Sequence, residues 1–578
     1  MELSMMKELN VARTMIDVFG GYNHNLRISE NEFYNMKNLT SDDYPVLSPR
    51  KQRGIYAVPS APSGMIAKDL LCYVDGEDFV MGNQKIAMGL SSEKPKRLIS
   101  MGAYVIIMPD KKYINTADID DVGDIEAAVT TSSAVRFELC KLDGAAYENV
   151  TVGGSAPSSP ANMDLWIDTG SVPHTLKQYS KTSGEWVSVA TTYIKISATG
   201  IGKPFSEGDG VTISGVIDEG LSDLNNTMMI AAKGDDFIVV TGILDETMTQ
   251  EEPIEVKRQM PIMDFIIESG NRLWGCRYGA SLGGETVNEI YASKLGDFKN
   301  WNCFAGISTD SYAATVGTDG QFTGAIEHLG YPLFFKENCM HKVYGNYPAT
   351  YQIQTTTCRG VQKGCDKSLA IVNEVLYYKS RSGICVYDGS LPSEISAAFG
   401  DESYYDAVGG ALGNKYYVSM AGQDGAWNLF VFDSAKGLWH REDDTQAVCF
   451  SSCRGDLFYI DYADKQIKSV KGAGVPESEP IEWEAVTGVI GTDSPDKKYV
   501  SRMDVRMSLV AGSRVSFFAE YDSSGEWEYL FTMNGVKLQT FAVPIKPKRC
   551  DHMRLKIVGH GDAKIYSICK FTEWGSDG

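Results

Sequence analysis

Several chemistries are absent from this sequence. Its twelve cysteines include no Cys-x-x-Cys pair, and its seven histidines form no i, i+4 pair on a helical pattern, so no zinc or metal-hydrolase site is expected. A G-x-x-x-x-G-K-[ST] loop and a G-x-S-x-G elbow are both missing, which removes the usual signatures of a nucleotide site and a serine hydrolase. No cofactor is expected. No apolar run approaches the ~20 residues needed to cross a bilayer, and the start, Met1 to Val18, mixes Lys7, Glu8, Arg13 and Asp17 into its apolar residues, unlike a signal peptide. These features predict a soluble chain with no export address and no membrane insertion, its thiols reduced after cytosolic synthesis. Cys385, between Ile384 and Val386, reads as a small core residue.

Positive charge is also scarce: 54 Lys and Arg stand against 75 Asp and Glu, a formal net charge of −21. Tight binding built on neutralising phosphates is therefore not expected. An acidic surface that serves solubility is the plain alternative reading of any one carboxylate cluster.

What the chain has in abundance is glycine, 57 residues against 20 prolines, and Tyr and Phe set in short apolar runs. That is the profile of many short strands joined by tight turns. Four aromatic strand cores begin at Leu333, Leu376, Lys415 and Leu457, a spacing of about 40 residues that matches blade-sized repeats. Each is followed by a polar turn and a second apolar run, as in Ile384 to Tyr387. One such hairpin cannot bury both faces, whereas copies set radially around an axis can. The sequence thus predicts an all-β protein, a six- or seven-bladed β-propeller with an inserted small β module and a C-terminal β-sandwich.

The predicted organisation runs as follows. Residues 1–54 form an extended, turn-rich arm, in which Glu30 to Leu39 could make one or two helical turns capped by Ser29. Residues 55–151 hold the first propeller strands, among them Ala103 to Met108 and Tyr113 to Asn115. The linker Gly153 to Pro160 opens an insertion over 152–258, with fifteen acidic and seven basic residues. The propeller resumes over 259–480, the N-terminal strands closing the ring against its last blade, and longer strands over 481–578 form the sandwich.

Candidate functional residues carry competing readings. Trp166, Tyr179 and Trp186 of the insertion could stack on the flat C–H faces of a sugar, or could be the core of a module short of other large side chains. A glycosidase needs two carboxylates at a set separation. Asp310, Asp319, Glu327, Asp388, Asp401 and Asp406 all lie near blade turns, but nothing selects a pair, and turn carboxylates are common. Ser-x-Asp-x-Gly-x-x-Trp turns like those of sialidase propellers are matched only loosely, by Asp433 to Trp439 and Asp522 to Trp527. In the arm, Tyr22, Asn23, Arg50, Lys51 and Arg53 are candidate contacts with a neighbouring subunit, a basic end to an extended segment suiting an acidic partner.

The arm text, Phe19 to Asn23, Asn35 to Leu39 and Tyr44 to Arg50, together with Asn271 to Gly275 and Ile290 to Ser293, resembles the minor structural proteins of tailed bacteriophages. It is similar to the β-propeller tail nozzle or stabilisation proteins of short-tailed phages. The resemblance implies a virion structural protein without enzymatic activity, synthesised in the bacterial host cytoplasm and assembled into the tail. It implies a homo-oligomeric ring of six copies at the DNA exit channel, with a portal adaptor, other tail proteins or tail fibres as partners. An acidic lumen would let DNA slide through during ejection without sticking. The alternative from a different class is a host-surface glycan-binding or glycan-cleaving propeller.

Overall fold

The aromatic runs near 333, 376, 415 and 457 are the second strands of four consecutive blades. In one of these, Gly324–His328, Tyr331–Lys336, Cys339–Tyr344 and Gln352–Thr357 pair antiparallel in chain order. Leu333 and Phe335 pack into the core on one side of this blade and Phe334 into the core on the other, and all three are fully buried. A strand held between two layers is apolar at every position instead of at alternate ones, which is why these runs stand out in the sequence. The tight turn before Tyr331 places Leu329 and Gly330 both at positive φ, 53° and 82°, the two-residue turn whose twist suits a hairpin.

The computed structural model describes residues 11–574 except 93, 94, 282, 493–495 and 536. It contains a seven-bladed β-propeller. Blade 1 runs from Pro62–Ala67 to Gln84–Ala87 and blade 2 from Arg97–Met101 to Asp118–Asp124. Blade 3 runs from Phe265–Ser269 to Tyr312–Thr315, and the blade just described is blade 4. Blade 5 runs from Ala370–Val372 to Ser393–Glu394, and blade 6 from Tyr404–Leu412 to Leu438–Arg441. Blade 7 is composite: Ala447–Cys453, Asp456–Asp461 and Ile467–Ser469 are completed by Gly54–Ala57 from the other end of the chain. Its inner strand lies beside that of blade 1, so the ring is closed.

The insertion separates blades 2 and 3. Two sheets face each other over Phe137, Ile194, Ile196, Val211, Ile213 and Val256, and a small four-stranded sheet, Val150–Gly153, Leu165–Asp168, Thr175–Ser180 and Glu185–Ser188, is appended to them. The expected start at residue 152 is too late. Ala127–Thr130 pairs with Glu255–Arg258, and Val135–Cys140 pairs with Tyr193–Ser197, so both upstream strands belong to the module, and blade 2 is complete before them. Arg258 pairs with Asp209 at 2.5 Å, and Asn300 of blade 3 hydrogen-bonds Asp209 and the Gly210 amide, anchoring the module to the wheel.

The N-terminal segment is no free arm; its first ten residues lie outside the described ones. Val11–Ile16 pairs with Ala563–Trp574, and Phe33–Lys37 pairs with Glu482–Thr487, so each sheet of the C-terminal sandwich takes one strand from the start of the chain. The helical turn expected over Glu30 to Leu39 is this second strand. Phe33, Met36 and Leu39 are all buried at a three-residue spacing that imitates a helix, because an irregularity between Phe33 and Asn35 shifts the register and turns Phe33 and Met36 to the same core. Between the two strands, Gly21 lies against blade 6, where a Cβ would come within 2.2 Å of the Trp439 carbonyl oxygen. Tyr22 packs beside Phe399 and Phe430. Propeller and sandwich consequently share one hydrophobic core.

Met36→Ala removes a fully buried side chain from this shared core and is expected to destabilise the protein by about 2–5 kcal/mol. Urea unfolding followed by tryptophan fluorescence measures this, and an unchanged midpoint would separate the N-terminal strand from the stability of the sandwich.

Candidate functional site

The small sheet of the insertion has two unlike faces. Leu165, Ile167 and Leu176 point to one side and pack with Leu139, Val150 and Ile243, which is the core of this sheet. Strand alternation places Trp166 and Tyr179 on the opposite side, and the pairing of Tyr179 with Trp186 across neighbouring strands brings in the third ring. The rings meet at steep angles: Trp166 and Trp186 have centroids 5.5 Å apart at 67°, and Tyr179 and Trp186 are 5.4 Å apart at 58°. Trp166 is only 6% exposed and donates its indole N–H to the Gly153 carbonyl at 2.8 Å, so it serves as the base of the cluster. Tyr179 and Trp186 are partly exposed. Lys177 crosses the Trp166 ring at 5.1 Å and pairs with Asp168 at 2.8 Å, whose carboxyl that ammonium holds below its ordinary range.

The three aromatics are therefore brought together, on a face the module's own core does not use. Of the three, Trp166 is corrected from a stacking residue to a support, because its surface is already covered. The contact face belongs to Tyr179 and Trp186. A partly exposed aromatic pair with an adjacent ion pair offers a ring face for C–H contacts and polar groups for hydroxyls.

The inner strands of the seven blades line a cavity of 640 Å³ on the propeller axis. Among the described residues two carboxylates reach it, and both are engaged. Asp264 pairs with Arg277 at 2.8 Å and accepts the Tyr278 amide, and Asp366 faces Arg97 at 3.7 Å. Each is thus already committed to a guanidinium, whereas an acid that protonates a glycosidic oxygen must be free to face it. Among the turn carboxylates, Asp310 is buried and accepts the Gly306 and Ile307 amides, Asp388 holds Ser390, and Glu327 accepts the Gly330 amide. These are turn-stabilising roles. His341, held between Thr318 and Thr355 at 2.9 Å each, is pushed down to about 4 by burial and by Lys336, so it is neutral at ordinary pH.

Four of the five arm residues are used within the chain. Tyr22 is buried beside blade 6, and Asn23 donates to Glu32 at 3.0 Å. Arg53, 3% exposed, pairs with Glu442 at 2.6 Å and Asp443 at 2.9 Å and lies over the Tyr459 ring. Arg50 reaches Asp443 at 3.5 Å and Glu477 at 3.1 Å. The expectation that Tyr22, Arg50 and Arg53 contact a neighbouring subunit is corrected, since burial against their own chain leaves them no surface to offer. Only Lys51 is exposed. The acidic partner anticipated for the two arginines is real but intramolecular, nearly 400 residues away in sequence, and no local pattern could have revealed it.

No family model matches the chain, and no curated protein does. Solved structures give matches at low similarity. An exo-β-1,3-galactanase from Phanerochaete chrysosporium, crystallised with galactose, is 9% identical over 53% of this chain and 94% of its own, with a TM-score of 0.21. A glycoside hydrolase family 43 arabinoxylan arabinofuranohydrolase from Bacillus subtilis is 9% identical over 54% and 94%, with a TM-score of 0.19. Trypanosoma rangeli sialidase, in complex with sialic acid, is 9% identical over 97% and 95%, with a TM-score of 0.25. Likeness of this degree assigns no residue and no substrate. The expectation that the chain lacks enzymatic activity is withdrawn, since the solved structures that match are glycoside hydrolases and a sialidase, and their likeness gives this chain no activity of its own.

The arginine network makes a pH prediction. Burial alone would raise the Asp443 carboxyl, but Arg53 and Arg50, with hydrogen bonds from Thr445, hold it at about 2. A depressed folded-state value means that the stabilisation is full above the unfolded value of about 4 and is lost as pH falls from there towards 2. The stability gap between the protein and its Asp443→Asn variant is expected to be on the order of 2 kcal/mol near neutrality and to shrink across that window. Urea midpoints measured at stepwise lower pH read it.

Proposed function

We propose that this chain is a glycan-engaging β-propeller protein, in which propeller and sandwich form a rigid mount and the inserted module presents the sugar-binding face. The observation that carries this reading is the aromatic cluster on the side of the small sheet opposite its core. A module needing Trp166, Tyr179 and Trp186 only for packing would place them with Leu165, Ile167 and Leu176. Instead Tyr179 and Trp186 face outward beside the Lys177–Asp168 pair, an arrangement that supports C–H stacking plus hydrogen bonding to hydroxyls. Cleavage is assigned to no residue, because each carboxylate traced above is held by a cation or a turn.

Trp186→Ala is expected to weaken binding of bacterial cell-wall polysaccharide by about tenfold, the loss of one aromatic contact, with the thermal midpoint nearly unchanged since Trp186 is partly exposed. Affinity electrophoresis in polysaccharide gels and calorimetry with oligosaccharides measure it. Equal retardation of protein and variant would remove the module from the reading.

A second reading, a structural component of a tailed-phage virion, rests on the sequence resemblance alone. The arm part of the text that carries the resemblance, Phe19 to Asn23, Asn35 to Leu39 and Tyr44 to Arg50, is the segment that welds propeller to sandwich, while Asn271 to Gly275 and Ile290 to Ser293 lie in blade 3. Proteins sharing that text would share the joint. In this reading the chain assembles as a tail ring with the module projecting, which is compatible with glycan contact at a host surface. Particle-bound protein detected by immunoelectron microscopy supports it, and a chain found only free in lysates opposes it.

A further inference from the structure

A cavity of 540 Å³ lies where the N-terminal segment crosses blades 6 and 7, apart from both the axial channel and the inserted module. Its lining runs against the charge of the whole protein. Six basic residues line it against three acidic ones, in a chain whose net charge is −21. Arg50 and Arg53 are neutralised by Glu442, Asp443 and Glu477 and form a fixed floor. Lys415 is held by Thr40 at 2.9 Å and Asp42 at 2.7 Å. That leaves three lysines from three separate parts of the fold. Lys51 follows the strand Ser48–Pro49, Lys436 sits in the turn after Trp427–Asp433, and Lys471 follows Ile467–Ser469 of blade 7. All three are exposed, and none makes an ion pair among the described residues.

A second observation comes from within the cavity. Tyr417 lines it, is 4% exposed, and its hydroxyl makes no hydrogen bond among the described residues. The hydroxyl is not one of the sealed polar atoms of the chain: the ring is buried and the oxygen opens into the cavity, where it is free to meet a ligand. Arg50, Arg53, Asp42 and Glu442 line the same cavity as this phenol.

We infer that this cavity binds a small phosphorylated ligand, a phosphate monoester of about hexose phosphate size, with the phosphate among Lys51, Lys436 and Lys471 and a ligand hydroxyl meeting Tyr417. The volume falls within the usual range of small-ligand pockets. Three ammonium groups without a carboxylate at ion-pair distance, one of them, Lys436, resting 5.5 Å over the Tyr44 ring, suit a dianion better than a single carboxylate, and lysines of this kind bind phosphate as point charges. The floor arginines, already paired, set the shape without adding to the attraction.

The test uses the full chain with inorganic phosphate, glucose 1-phosphate, glucuronate and glucose at low ionic strength, read by thermal shift and calorimetry. Glucose 1-phosphate is expected to bind and raise the midpoint, phosphate more weakly, glucuronate less still, and glucose not at all. Lys51→Ala with Lys471→Ala should weaken glucose 1-phosphate by about tenfold or more, the loss of two charge contacts, at an unchanged ligand-free midpoint. Tyr417→Phe should weaken glucose 1-phosphate but leave inorganic phosphate as before. No binding of either phosphate, binding unaffected by the lysine substitutions, or glucuronate matching glucose 1-phosphate would each overturn the assignment.

Discussion

Arg53 is the fastener of this molecule. Sealed between blades 6 and 7, it meets Glu442 and Asp443 at under 3 Å, donates to Thr445 and Tyr459, and sits immediately before the strand Gly54–Ala57 that completes the ring. A buried ion pair adds little net stability over a well-packed apolar alternative, but removing one partner strands the other charge and costs about 3–5 kcal/mol. Its value here is register. The strand that closes blade 7 comes from the opposite end of the chain, and a charge that finds its partners in only one alignment fixes where that strand docks. Arg50 repeats the device one turn of chain earlier, towards Glu477 and the sandwich.

From that fixed point the rest follows as packing. The N-terminal segment crosses the face of blade 6, close enough that only glycine fits at position 21, and continues as a strand of the sandwich. Tyr22, Phe33, Met36 and Leu39 enter a core that runs unbroken from the blades into the sandwich. The inserted module is tied on differently, by the polar contacts of Asp209, Asn300 and Arg258, and keeps a core of its own.

The blades were legible in the sequence because their physics is local. Runs such as Leu333 to Phe335 are apolar at every position, so strand, burial on both faces and repeat length could all be read from neighbouring residues. The N-terminal strands were not legible. Phe33, Met36 and Leu39 show helical spacing, and what makes them a strand is a register shift against Glu482–Thr487, more than 400 residues away. The start of the module was missed for a similar reason: Ala127–Thr130 and Val135–Cys140 look like further blade strands until their partners, Glu255–Arg258 and Tyr193–Ser197, are known. Of the candidate site, the three aromatics were found by residue type, but their separation into one support and two contact rings depends on which side of a sheet each faces. Of the basic cavity only the arm's Arg50, Lys51 and Arg53 stood out; Lys436 and Lys471 are unrelated to them in sequence, so their convergence left no signal.

Pairing between the two ends of the chain also dictates an order of events during synthesis. The segment Val11–Ile16 leaves the ribosome more than 500 residues ahead of its partner, Ala563–Trp574. At roughly 5–20 residues per second, the interval is about half a minute to two minutes. Through that time the nascent protein carries an unsatisfied strand edge ahead of a growing wheel, and an unpaired edge invites any passing strand. The polypeptide is thus most vulnerable to mispairing while it is being made, and least once its two ends have met.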